Sequence, residues 1–378
     1  MTAPMTTILH VIASGGPGGG ERYLSDLIRF SSRPYRHVAA IPGDGYLSRE
    51  MNAAGQGYRI IPMPLYPSPA AVIRLCRFCR QVRADIIHSH GFRANFYGRL
   101  AAFLTCRPHL ATVHVSLFDY RQTAAARQWL YRMIERWMSR MTRRFICVSD
   151  AMAADTRKLG VGADKIIVIH NGIDPERFSR RFDVEAIKRK LGIAGRFPVI
   201  GTVGRLVPEK CQASLIRALP GIVRDFPELV CMFVGAGPLL EALQREASIA
   251  GVSDVCRFTG PVAEIEEIYA VLDFFVLPSA REPFGLAALE AMASGVAILA
   301  TDDGGPAEYI RPGVNGLLVA PGNPAAMAEA IKSILTASDW RNRIAGQGRR
   351  TALDCFDVRK TIASTEAVYE LFTPNGPG

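Results

Sequence analysis

At 378 residues the chain is too long for one ordinary hydrophobic core, so length alone predicts two domains. With 49% apolar residues and a mean hydropathy of +0.12 it can fill two cores, yet no apolar run nears the ~18 residues of a helical membrane span. The net charge of +10 is lopsided. Residues 1–180 carry 25 Lys and Arg against 12 Asp and Glu, and residues 181–378 carry 20 against 23, so the first half is the one suited to an anionic partner, nucleic acid or anionic lipid.

The chain opens on ILHVIAS (8–14), which is short, lacks a basic flank and runs into glycines. It reads as a first strand rather than a signal peptide, and a cytoplasmic location is expected. A helix is predicted over 20–31, then strands over 37–42, 58–64, 85–90, 109–114, 144–149 and 166–171, with a further helix over 127–141. A second series has strands over 199–206, 230–237, 256–260, 274–279, 296–302 and 316–321. Its helices fall over 212–225, 238–250, 264–271, 285–294 and 323–337. Such alternation predicts βα units and a mostly parallel sheet in each of two halves, with a cleft between them and a break near 175–195. Of eight cysteines only Cys76 and Cys79 have C-x-x-C spacing, and with no second pair they read as packing residues. The final TPNGPG reads as a frayed tail.

The loop SGGPGGGE (14–21) follows the first strand and opens a helix. A dinucleotide fingerprint fails there, because its third glycine would fall on Glu21 or Tyr23, which speaks against a dehydrogenase. Beyond a tight turn, the loop offers bare N–H groups and the positive end of a helix to a phosphate. Next, VGRLVPEK places Arg205 and Lys210 just past a strand, where a guanidinium fork and an ammonium could clasp a diphosphate. In SAREPFGLAALEAMASG, Glu282 and Glu290 flank seven residues. With a helix starting near Phe284, one carboxylate lies before it and the other two turns inside, so they reach different ends of one ligand. Phe284, Gly285 and Leu286 would offer N–H groups at that helix start. No Asp-x-Asp lies at a strand end to hold a cation between phosphates, so no metal and no cofactor are expected.

The run from VGRLVPEK through VGAGP and the Glu-x7-Glu block to ATDDGGPAEYI and GVNGLLV resembles the retaining GT-B glycosyltransferases of family 4, also called glycosyltransferase group 1. The first half resembles them more loosely through SGGPGGGERYLSDL, IHSHG, TVH, CVSDAM and VIHNGID. The resemblance implies an α/β fold of two Rossmann-like domains facing each other across a cleft. Residues 1–177 would bind the acceptor and 178–357 the nucleotide sugar, with a helix at about 358–373 returning to the first domain. It implies Arg205 and Lys210 on the donor diphosphate, Glu290 on the ribose and Glu282 on the transferred sugar. Phe284, Gly285 and Leu286 would contact sugar and β-phosphate, Gly16 would face the phosphates from the other domain, and His114 would approach the reacting sugar. His90 reads as a core or cleft-lining residue and His170 as a hinge residue. The implied activity is hexosyl-type transfer from a UDP-sugar, favoured over a GDP-sugar, to a glycan or lipid-linked acceptor in cell-envelope polysaccharide synthesis.

Two rival readings leave residues unexplained. A GT-B sugar-nucleotide epimerase needs no acceptor surface, and a non-catalytic nucleic-acid-binding protein has no use for Arg205, Lys210, Glu282 and Glu290, so no nucleic-acid partner is expected. Residues 127–144, RQWLYRMIERWMSRMTRR, alternate arginines with tryptophans and methionines around one acid, Glu135. As one basic amphipathic helix this segment suits an anionic membrane surface on the inner face of the cell membrane; the alternative is a core-facing helix with a solvated arginine face. Arg74, Arg77, Arg80 and Arg83 add positive charge at near-helical spacing.

Overall fold

The computed structural model describes residues 5–14, 16, 18–65, 67–118 and 125–373, the side chains of 125–127 excepted. Gly15 and Pro17 of the glycine loop, and residues 374–378 of the tail, lie outside the described residues. The chain divides into two compact units, Met1–Gly172 with Val358–Gly378, and Ile173–Asp357. The first division falls slightly before the expected residue 177.

The first unit is built on seven strands: β1 (Thr7–Ile12), β2 (Arg36–Ile41), β3 (Gly57–Ile60), β4 (Ile86–His90), β5 (His109–Val113), β6 (Arg144–Cys147) and β7 (Ile166–Val168). They lie in the order β3-β2-β1-β4-β5-β6-β7, every pair parallel. The second unit has β8 (Val199–Val203), β9 (Val230–Val234), β10 (Cys256–Gly260), β11 (Phe274–Leu277), β12 (Ala297–Thr301) and β13 (Leu317–Val319). Their order is β10-β9-β8-β11-β12-β13, again all parallel. A parallel sheet is covered on both faces, so its central strands are near-continuous apolar runs. β9 (VCMFV) and β11 (FFVL) are buried along their whole length. In each sheet the order reverses beside the first strand, β1 or β8, the switch point where ligands bind outside the strands' carboxyl ends.

The helix Val358–Glu370 belongs to the first unit and packs on the helix Gly19–Phe30, with a 2.7 Å hydrogen bond between Tyr23 Oη and Thr365 Oγ1. Cys76 and Cys79 are free and buried within the helix Pro69–Val82, whose opposite face exposes Arg74, Arg77 and Arg80.

Residues 127–144 do not form one helix. The helix Ala125–Met138 gives way to a 3₁₀ turn at Ser139–Met141, and Arg144 begins β6. Inside it, Glu135 is buried and forms a two-pronged pair with Arg99 at 2.7 and 2.5 Å, while Thr142 Oγ1 accepts from Arg99 Nε at 2.8 Å. That acid docks the helix, and several of its apolar side chains are left outside. Trp129 is 64% and Trp137 75% exposed, and Leu130 and Met133 are exposed between them.

Candidate active site

In the second unit the expected donor residues come together at the carboxyl ends of β8, β11 and β12. After β8 the chain turns into Arg205–Lys210, held down by the N–H groups of Gly204 and Leu206, which donate to Val234 and Ala236 carbonyls at 2.9 Å. A Cβ on Gly235 would lie 2.1 Å from Gly204 O, and one on Gly237 2.3 Å from Leu206 O. The glycines of VGAGP therefore let two strand-end loops lie against each other, which no side chain there would allow.

Arg205 projects from this loop, 62% exposed, 3.9 Å from Glu209 Oε1. Lys210 instead turns inward and sets Nζ 2.8 and 2.6 Å from the two oxygens of Glu282. Ser279 Oγ donates to Glu282 Oε2 at 2.7 Å, and Thr301 Oγ1 in turn donates to Ser279 O at 2.7 Å. The Glu282 backbone is gripped by the DDGG turn. Its N–H donates to Asp303 O at 3.2 Å, its carbonyl accepts from Gly305 N–H at 2.8 Å, and a Cβ on Gly304 would fall 2.1 Å from that carbonyl. The carboxylate is thus fixed and nearly buried.

Glu290 lies on the helix Leu286–Ala293, where Tyr269 Oη donates to its Oε2 at 2.9 Å. The helix starts two residues later than expected from the sequence. Gly285 caps it with φ 90°, and a Cβ there would lie 2.9 Å from Tyr309 Oη, so the left-handed turn needs glycine twice over. Leu286 is therefore the first helical N–H, while Phe284 precedes the helix with its ring buried beside Tyr309 and Phe356.

His114 and the glycine loop are neighbours in the first unit. His114 follows β5, half-buried, its ring 5.2 Å from that of Tyr23. A Cβ on Gly20 would meet His114 Cδ2 at 3.2 Å, so the loop's last glycine makes room for the imidazole. Loss of solvent around it lowers the His114 pKa to about 4, so it is a neutral hydrogen-bonding group at pH 7. Gly16 faces open space. The positive end of the helix Gly19–Phe30 already has an anion close by, since the buried Glu21 accepts a short hydrogen bond from Ser14 Oγ. Close to His114, a pocket is lined by Gly91, Asn95, Val113, Ser116 and Asp155, and Asn95 Oδ1 is buried there without a hydrogen-bond partner.

The sequence reading missed Ser279 and Tyr269, the partners of the two glutamates, and the role of Gly20. Ser279 was within reach, standing at a strand end three residues before Glu282. The pairing of Tyr269 with Glu290 joins two helices and leaves no local signal.

With this geometry in place, the comparisons with known proteins fall into line. The family described as Glycosyl transferases group 1 matches residues 183–351, and Glycosyltransferase Family 4 matches residues 17–177. The D-inositol 3-phosphate glycosyltransferase of Geodermatophilus obscurus is 31% identical, the match covering 88% of this chain and 74% of that protein. A GDP-mannose-dependent alpha-(1-6)-phosphatidylinositol monomannoside mannosyltransferase of Mycolicibacterium smegmatis is 29% identical over 90% of this chain and 92% of its own. Among solved structures, Anabaena Alr3699/HepE in complex with UDP and glucose superposes with a TM-score of 0.87 at 25% identity, covering 96% of this chain and 99% of that one. The chain belongs to the group 1, family 4 glycosyltransferases: it is a transferase of the GT-B fold.

Proposed function

We propose that this enzyme transfers a hexose from a nucleotide sugar, a UDP-sugar in preference to a GDP-sugar, with retention at the anomeric carbon. The acceptor is a glycan or lipid-linked molecule of the cell envelope, and the enzyme works on the inner face of the cell membrane. The observation that carries this reading is the cluster at the ends of β8, β11 and β12, where Glu282 accepts from both Lys210 and Ser279 and Arg205 stands exposed on the loop that carries Lys210. Likeness to a structure holding UDP and glucose supports the choice of base; relatives named for GDP-mannose keep the other base in the test.

The chemistry follows from charge. As the bond from the anomeric carbon to the β-phosphate oxygen breaks, negative charge grows on the departing diphosphate, and Arg205, Lys210 and the N–H groups at Leu286 meet it without reorganising. Lys210 has three N–H donors and Glu282 engages two, so one remains for phosphate. Glu282 takes hydroxyls of the sugar and Glu290 those of the ribose. The acceptor oxygen bonds to the anomeric carbon from the leaving-group side, and its proton passes to the departing phosphate oxygen. Because the protein supplies the cations, turnover is expected to survive excess EDTA; loss of activity restored by magnesium or manganese would contradict the scheme.

The basic first unit supplies the acceptor surface. Trp129, Met133 and Trp137 stand four residues apart on one exposed stripe of the helix Ala125–Met138, with Arg136 and Arg140 also exposed. This favours docking on anionic lipid over a core-facing helix. The whole reading is tested by titrating the protein with UDP- and GDP-sugars and following slow donor hydrolysis. Failure to bind either class would sink it.

A further inference from the structure

All seven histidines of the chain lie in the first unit, and four of them join end to end. His114 Nε2 lies 3.4 Å from His90 Nδ1, His90 Nε2 lies 3.1 Å from His10 Nδ1, and His10 Nε2 lies 2.9 Å from His37 Nδ1. Every link therefore runs in the same sense, Nε2 of one ring to Nδ1 of the next. His10, His37 and His90 are buried, on the sheet face covered by the helices carrying Tyr23 and Tyr369. The two end atoms, His114 Nδ1 and His37 Nε2, are buried without a hydrogen-bond partner among the described residues.

We propose that these four imidazoles form one tautomer-locked chain that fixes which atom of His114 is offered to substrate, making His90, His10 and His37 positioning residues of the site. The proposal rests on the reading of His114 as a site residue. A neutral imidazole has one N–H and one lone pair. At each link, two facing N–H groups or two facing lone pairs would leave a buried polar pair unbonded. The links are satisfied together only when all four rings carry the proton on Nδ1, or all four on Nε2. The rings stay neutral because burial lowers each pKa, to about 4 for His37 and His114.

The two states are not equivalent. At the far end the charge facing His37 is the carboxylate of Glu366, which bonds Ser31 and Ser32. A negative charge there favours an N–H on His37 Nε2, hence Nε2–H throughout, and leaves a bare lone pair at His114 Nδ1. The bare lone pair makes that buried atom an acceptor only, so a substrate hydroxyl that reaches it must donate. A wrong tautomer at a catalytic imidazole can remove most of kcat while the geometry stays intact.

The test is long-range proton–nitrogen correlation on the full chain labelled with ¹⁵N-histidine. All four rings are expected to read Nε2–H. Replacing the last link, His37→Phe, leaves His10 Nε2–H with no acceptor in the core. The register also loses the bias that Glu366 imposes through His37, so His10, His90 and His114 shift together toward Nδ1–H. His88 and His109, bonded to Tyr369, Thr112, Ser89 and Thr142, report that the fold is intact and stay put. Should His37→Phe not fold, Glu366→Gln removes the charge at nearly constant size and shifts the same signals together toward Nδ1–H. With the best donor, His37→Phe is expected to lower kcat roughly ten-fold or more and leave donor KM nearly unchanged. Mixed tautomers along the wild-type chain, or a His114 signal indifferent to His37 in a folded protein, would overturn the proposal. So would a joint switch with unchanged kcat, or metal-shifted signals at His10, His88 and His90, whose nitrogens lie within 4.8 Å of one another. The tautomer signals need no substrate. If glycosyl transfer is the wrong reading, turnover will be absent with every donor while the joint switch persists.

Discussion

Lys210 and Glu282 bond each other at 2.6 and 2.8 Å, so neither acts alone. Removing the amine leaves the buried Glu282 carboxylate uncompensated and takes away the proposed phosphate contact. Lys210→Ala is therefore expected to lower kcat/KM by roughly 10²-fold or more, on the scale of losing one oxyanion donor, while Arg205→Ala loses the contact only. Steady-state rates with unchanged circular dichroism check this, and near-normal turnover in both variants refutes the clasp. Glu282→Gln keeps the shape, weakens the hold on Lys210 and is expected to leave nucleoside diphosphate affinity intact or raised while impairing the sugar-dependent step. Glu290→Gln should weaken the free nucleotide instead, because the ribose contact goes. Calorimetry showing equal losses in the two variants would mean the carboxylates do not divide the donor between them.

The helix Ala125–Met138 owes its placement to its one acid. Glu135 meets Arg99 in the interior, and breaking a buried pair by removing one partner costs about 3–5 kcal/mol. Glu135→Ala is thus expected to destabilise the first unit by that order in denaturant unfolding; an unchanged midpoint would show that the helix is held otherwise. The exposed stripe is independent of that anchor. Arg136→Glu with Arg140→Glu should abolish co-sedimentation with anionic liposomes, since each basic residue near such a surface contributes about 1 kcal/mol. Trp129→Ala with Trp137→Ala should weaken it at high salt, where the apolar contribution persists. Donor hydrolysis should be untouched by either pair, since the residues read as holding the donor diphosphate and ribose, Arg205, Lys210 and Glu290, are in the other unit. Wild-type protein that ignores anionic liposomes at low salt would end the membrane reading.

Over the whole molecule, the histidines fall entirely in the first unit, which makes acid a selective stress. Five are buried and His114 is half-buried, and all six have a lowered pKa, mainly through loss of solvent: His37 and His114 to about 4, His88 to about 3, and His10, His90 and His109 in the same direction. The unfolded chain takes up protons on these rings near pH 6.5, and the folded one only at lower pH, about 4 for His37 and His114. Stability from neutral burial is therefore complete above pH 6.5 and falls as pH drops through that window. Each such group removes about 1.4 kcal/mol per pH unit. Between pH 7 and 5.5 the calorimetric transition of the first unit should fall well below that of the second. Two transitions moving in step would contradict this.

All thirteen strands among the described residues were legible in the sequence, the central ones because parallel strands covered on both faces become apolar runs bounded by glycine and polar residues. The placement of Arg205 and Lys210 on a strand-end loop, and of Glu282 before and Glu290 within a helix, was legible as well, since local geometry alone sets it. What the sequence could not contain was pairing across the fold. The strand positions of His88 and His90 put both on one face, yet only the order β2-β1-β4-β5 brings His37, His10, His90 and His114 into one line. Likewise the arginine-tryptophan pattern of residues 127–144 suited either a buried or an exposed apolar face. A single distant partner, Arg99, decided it by drawing Glu135 inward and leaving the tryptophans outside. Composition and periodicity fixed the elements, since those depend on neighbours in the chain; charge pairing and tautomer depend on neighbours in space, and the tertiary structure decided them.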